Sequence, residues 1–110
     1  MKSSTNAPAQ VLLHGEWTMT QAAERLELLT AELARQLKAK PKPMRAVIDL
    51  TGVSELDACG CQLLAVFLEN LKKHDIVPSP CGSTPEIEAT IRLLGFAEAL
   101  TTDQAPVKEP

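Results

Sequence analysis

No stretch of the 110-residue chain approaches the roughly 20 apolar residues needed to cross a bilayer. Met1 to Gln10 is too polar to serve as a secretory signal, so a cytoplasmic setting is expected. Basic residues never run on further than Lys72-Lys73, and a formal charge of -3 with a pI near 5.3 removes the electrostatic basis for a nucleic-acid ligand. The three cysteines, Cys59, Cys61 and Cys81, are odd in number and two of them are one residue apart, which excludes a disulfide framework and points to reduced thiols. There is no Gly-x-Ser-x-Gly elbow, no Walker loop and no glycine-rich dinucleotide fingerprint. No catalytic residues, no cofactor and no metal are therefore expected, and the chain is read as a non-enzyme.

What is there suits one domain, since 110 residues with 45% apolar content can bury a modest core. Residues 1–9 are polar with Pro8 and are expected to be flexible, as is the tail 101–110 with Pro106 and Pro110; the folded domain is placed at 10–100. Val11-Leu12-Leu13 before His14-Gly15 reads as a short strand ending in a turn. Thr18 and Gln21 match a capping box, and Ala22, Leu26, Leu29, Leu33 and Leu37 follow as a helical stripe. Pro41 and Pro43 end that helix, and Lys38 to Lys42 form a basic last turn that suits the negative end of the helix dipole. Ile76 to Cys81 can be an edge strand at best, because Pro78 and Pro80 each remove a ladder donor. A second capping box, Ser83 to Glu86 with Pro85 in the first turn, opens a last helix lined by Ile87, Ile91 and Leu94 and stopped by Gly95. The alternation predicts an α/β fold, a small mostly parallel or mixed sheet of about four strands covered by amphipathic helices.

The most informative stretch is central. Ala46 to Leu50 is an apolar run interrupted only by Asp49, the pattern of a parallel strand covered on both faces. A Thr51-Gly52 turn follows, then Asp57 as a candidate N-cap and Gly60 as a point where another backbone can approach the first helical turn. Leu64, Phe67, Leu68 and Leu71 recur on one helical face, while Gln62, Glu69 and Lys73 lie on another.

Ile48-Asp49-Leu50-Thr51-Gly52-Val53, then Leu56-Asp57-Ala58-Cys59-Gly60, the Leu-rich helix and the closing Leu93-Leu94-Gly95-Phe96 together resemble the STAS domain over roughly residues 11 to 100. That family includes anti-sigma factor antagonists and the cytoplasmic tails of sulphate transporters. The resemblance implies the STAS fold and a partner-binding surface at Asp57, Ala58, Cys59, Gly60 and Gln62. In the antagonist branch a phosphorylatable serine precedes the motif glycine. Here Cys59 stands in that place and Ala58 beside it, so no phosphorylation is expected there. The implied partner is an anti-sigma or histidine-kinase-like protein, a chemosensory signalling component or, as an alternative, a lipid-transport ATPase. Asp57-Ala58-Cys59-Gly60-Cys61-Gln62-Leu63-Leu64 looks most like the form associated with bacterial signalling and transcription regulation.

Other roles for the same residues can be weighed chemically. Cys59 at a helix start could be a redox-sensing thiolate, against the plainer reading of a small apolar filler. Cys59 and Cys61 point about 200 degrees apart on a helix, and Cys81, His14 and His74 are scattered, which opposes a metal site. Asp49 is expected to fix a turn, and Trp17, the sole tryptophan, to anchor the core.

Overall fold

Alternation of side chains along three parallel strands decides the architecture, which the computed structural model describes for residues 8–100. β1 (Ala9–Trp17), β2 (Arg45–Leu56) and β3 (Val77–Cys81) lie in the order β1-β2-β3, both pairings parallel. α1 (Ala22–Lys38) and α2 (Ala58–Lys73) are the two crossovers, and α3 (Pro85–Leu93) and the short α4 (Ala97–Leu100) follow the last strand. Val11 and Leu13 of β1 and Ala46, Ile48 and Leu50 of β2 are buried on one face together with Leu64, Phe67, Leu68 and Leu71 of α2. The α/β class and the parallel sheet match expectation, with three strands among the described residues in place of about four. The expected flexible tail, 101–110, and residues 1–7 of the expected flexible N-terminal segment lie outside the described residues.

Three expectations are corrected. Among the described residues the central strand is covered on one face only: Val47 and Asp49 alternate with the buried residues and stay partly exposed, and Leu12 beside them is 66% exposed. Neither His14-Gly15 nor Thr51-Gly52 is a turn. Between the pairs Leu12↔Asp49 and His14↔Gly52, and again between Gly15↔Val53 and Glu16↔Glu55, β2 takes up one residue more than β1. These bulges let two long strands twist together instead of stopping. Glycine is required at position 52, because a Cβ there would stand 2.6 Å from His14 Cβ. β1 also starts at Ala9, which pairs with Ala46.

Pro78 and Pro80 are accommodated because β3 is an edge strand. Val77 donates its N–H to Met44 O at 2.8 Å, so alternate positions 78 and 80 face away from β2, where no ladder donor is needed. The missing N–H groups blunt the open edge against pairing with another strand.

The helices end as their sequences allow. At the end of α3, Phe96 N–H reaches Ile91 O and Gly95 N–H reaches Arg92 O, a Schellman motif with Gly95 at φ +85°. The end of α2 repeats it, with Ile76 N–H on Leu71 O and Asp75 N–H on Lys72 O, but the left-handed residue is Asp75 at φ +63°. On α1 the expected stripe is displaced. Leu29 is buried and Leu33 and Leu37 are half-buried, but Leu26 is 53% exposed and Gln36 is buried in its stead, its Nε2 donating to Glu32 at 3.1 Å.

Aspartate pays a steric cost in the left-handed region that glycine does not. Asp75→Gly should therefore stabilise the domain by about 0.5–1 kcal/mol, a rise in Tm of roughly 3–6 °C. Thermal unfolding followed by circular dichroism checks this; a lower Tm would mean that the Asp75 side chain holds the cap.

Candidate functional site

The start of α2 is built from one carboxylate. Asp57 leaves β2 in extended conformation, and its Oδ1 accepts the N–H of Gly60 at 2.9 Å, the N-cap bond expected from the sequence. Its Oδ2 accepts the N–H of Met19, also at 2.9 Å. Met19 opens the 3₁₀ turn Met19–Gln21 that leads into α1. A single side chain thus satisfies orphan donors at the heads of two helices, whose partial positive ends both favour its charge. The expected capping box at Thr18 is not formed: its hydroxyl meets Thr20 Oγ1 at 2.9 Å instead of capping the helix.

Backbone contacts complete the junction. Asp57 N–H donates to Trp17 O at 3.3 Å, tying the end of β2 to the end of β1. Gly60 is buried beneath the same carbonyl, and a Cβ at this position would fall 1.8 Å from Trp17 O. The close approach expected of Gly60 is made by β1 of the same chain. Trp17 is 1% exposed, donates its indole N–H to His14 O at 3.2 Å, and carries the Arg25 guanidinium 5.2 Å from its ring centroid. It is a core anchor, as its position before the helix suggested.

Of the sequence-selected residues, Asp57, Ala58, Cys59, Gly60 and Gln62 are brought together because they share the first turn and a half of α2, yet they face different ways. Ala58 and Gln62 are exposed, Asp57 and Cys59 are half-buried, and Gly60 is enclosed. Met19, 72% exposed and pinned by Asp57, belongs to this surface and was not selected from the sequence. No spacing rule links positions 19 and 57. Beyond Gln62 the surface continues as a mainly apolar groove of about 130 Å³ between α1 and α2, lined by Leu26, Leu33, Leu63 and Val66 among others.

Electrostatics follow from the geometry. The Gly60 N–H first, and then the Met19 N–H, hold the Asp57 carboxyl below the usual carboxylate range. Asp49 is lowered too, by the Thr51 hydroxyl and by the Thr51 N–H at 2.9 Å, which gives it the local bracing role expected, here at a bulge. Burial, with the Asp57 charge adding, pushes the Cys61 thiol up to about 11. Cys61 is therefore a protonated core group, while Cys59 is partly accessible at the second helical position. Among the described residues no group of three His, Cys, Asp or Glu side chains could hold a metal ion.

A small parallel sheet with both crossover helices on one face and an aspartate-capped second helix defines a class of small α/β domain. The STAS domain model matches residues 13–107, and the chain belongs to that family. Among solved structures it resembles a sulfate transporter family protein from Wolinella succinogenes, at 20% identity and a TM-score of 0.65 over 91% of this chain and 75% of that one. It also resembles the STAS domain of a SulP transporter from Vibrio cholerae, at 16% identity and 0.63, over 92% of this chain and 72% of that one. No curated protein matches the sequence at a significant level.

Asp57→Ala removes both caps and should cost about 1–2 kcal/mol, read from urea unfolding with Trp17 fluorescence. Because the folded-state pKa is depressed, this stabilisation is complete above the unfolded value near about 3.9 and is lost as the pH falls through the lower folded value. The deficit of Asp57→Ala relative to wild type should thus shrink below about pH 4; a constant deficit would refute the charge contribution. In alkylation with iodoacetamide, exposed Cys81 should react and buried Cys61 should stay unmodified until urea unfolds the chain, as peptide mass spectrometry would show.

Proposed function

We propose that this STAS domain is a non-catalytic protein-interaction module that docks a regulatory partner in bacterial signalling through the start of α2, as anti-sigma factor antagonists do. The observation that carries this reading is the exposed set Met19, Ala58 and Gln62 around a helix start that Asp57 locks in place. Their backbones are held by hydrogen bonds before any partner arrives, so little ordering entropy is lost on docking. Asp57 and Gly60 act here by fixing the surface, and Cys59 occupies the place of the phosphorylatable serine. Binding is accordingly constitutive with respect to ATP. A use of the Cys59 thiol as a sensor would act on this same surface.

The transporter names of the two structural neighbours favour a second reading, an accessory role beside a membrane transporter, of which the lipid-transport ATPase implied by the family resemblance is another kind. It uses the same surface with a different partner, and the gene neighbourhood separates the two.

Calorimetry with a neighbouring kinase-like protein should give an affinity that ATP leaves unchanged. Met19→Glu with Gln62→Ala should weaken it by at least about tenfold while leaving Tm within a degree or two of wild type. An affinity lost on adding ATP, with phosphate found on Thr51 or Ser54, would overturn the constitutive mode.

A further inference from the structure

The strands are parallel and α1 and α2 run back against them, so the C-terminal ends of both helices meet the N-terminal ends of β2 and β3 at one pole. That pole collects Lys38, Lys40, Lys42 and Arg45 from the end of α1 and the segment after it, and Lys72 and Lys73 from the end of α2. Lys42 joins the two groups by donating its Nζ to His74 O at 2.5 Å, and Arg45 bonds Ser79 Oγ at 3.2 Å. Among the described residues the one ion pair is Arg35 with Glu32, so none of these six cations is paired with a carboxylate. The sequence disguises this concentration, because the basic residues alternate with Ala39, Pro41 and Pro43 or lie thirty positions away, and the chain as a whole is acidic. Helix dipoles account for Lys38, Lys72 and Lys73. They do not account for Lys40 or Arg45, which lie outside the helices.

We propose that this basic pole is a docking surface for an anionic lipid bilayer, on which the domain rests peripherally. This goes beyond the protein-binding reading and uses the opposite end of the molecule from Asp57. Two observations favour a bilayer over an acidic protein. Five of the six cations are lysines, point charges on long flexible stems that suit a fluid sheet of headgroups, whereas protein interfaces are depleted in lysine and favour arginine. Among them stands Met44, 59% exposed, with Val77, its β3 neighbour, 58% exposed. Unpaired lysines around protruding apolar side chains are the composition of a surface that sits at headgroup level. Asp75 sets one carboxylate beside the six cations at the end of α2, while Glu16, Glu55 and Asp57 lie at the far ends of the strands, so the molecule carries a charge asymmetry that would orient it with the α2 start away from the lipid.

Co-sedimentation of the full chain with vesicles tests this, using phosphatidylcholine alone or with about one-third phosphatidylglycerol. Binding to the anionic vesicles is expected at about 0.1 M salt and its loss at about 1 M, with none to phosphatidylcholine at either. Each cation near the surface contributes about fivefold, so K38Q/K40Q/K73Q, which spares the Lys42 bond, should weaken binding by roughly a hundredfold. Unchanged Trp17 fluorescence and Tm would show that the variant is folded, and E16Q/E55Q should bind at least as well as wild type. No sedimentation of wild type with anionic vesicles, or binding that the lysine variant retains, would overturn the proposal, the former leaving the pole to an acidic protein.

Discussion

Everything around the start of α2 depends on the Asp57 carboxylate and its two acceptor oxygens. One oxygen closes the first turn of α2 and the other holds Met19 at the entry to α1, so the starts of both crossover helices have a fixed spacing. Gly60 adds the steric half of the constraint, since any side chain there would collide with Trp17 O. Trp17 in turn is enclosed in the core, which transmits the position of β1 to the head of α2. A charge at two helix N-termini, a missing Cβ and a buried indole together make a surface that is rigid before it meets anything.

On the proposed reading, this rigidity suits a domain that binds a partner without chemistry. The groups around the helix start are a thioether, a methyl group and an amide, with the carboxylate engaged by backbone donors, the Cys59 thiol half-buried and the Cys61 thiol held protonated by burial. Such an arrangement offers shape and a few hydrogen bonds. Membership of the STAS family, with structural neighbours among sulfate transporter proteins, fits that character. The basic pole at the other end gives the same small body a second and chemically different face.

Much of this was legible in the sequence because it is local. The Asp57 cap, the apolar face of α2 and the Gly95 stop each rest on residues within one or two turns of one another, and Gly60 was legible by its residue type alone, although the carbonyl that approaches it belongs to distant Trp17. The mistakes share a cause as well. Glycine beside a polar residue signals a turn, yet His14-Gly15 and Thr51-Gly52 lie side by side in neighbouring strands, and the glycine at 52 serves the close packing of the pair. Thr18 has the right spacing for a capping box, but its hydroxyl meets Thr20, the Gln21 N–H goes to Thr18 O, and the neighbouring Met19 N–H is capped by a carboxylate 38 positions further on.

The sequence by itself determined the alternating elements, the parallel α/β class, the family and the identity of the capped helix, because side-chain periodicity and capping are properties of short segments. Only the tertiary structure decided that the sheet has one open face, that Met19 joins Asp57 at the surface, and that scattered lysines converge on one pole. Those outcomes follow from strand order and crossover direction, which bring together residues that no local pattern connects.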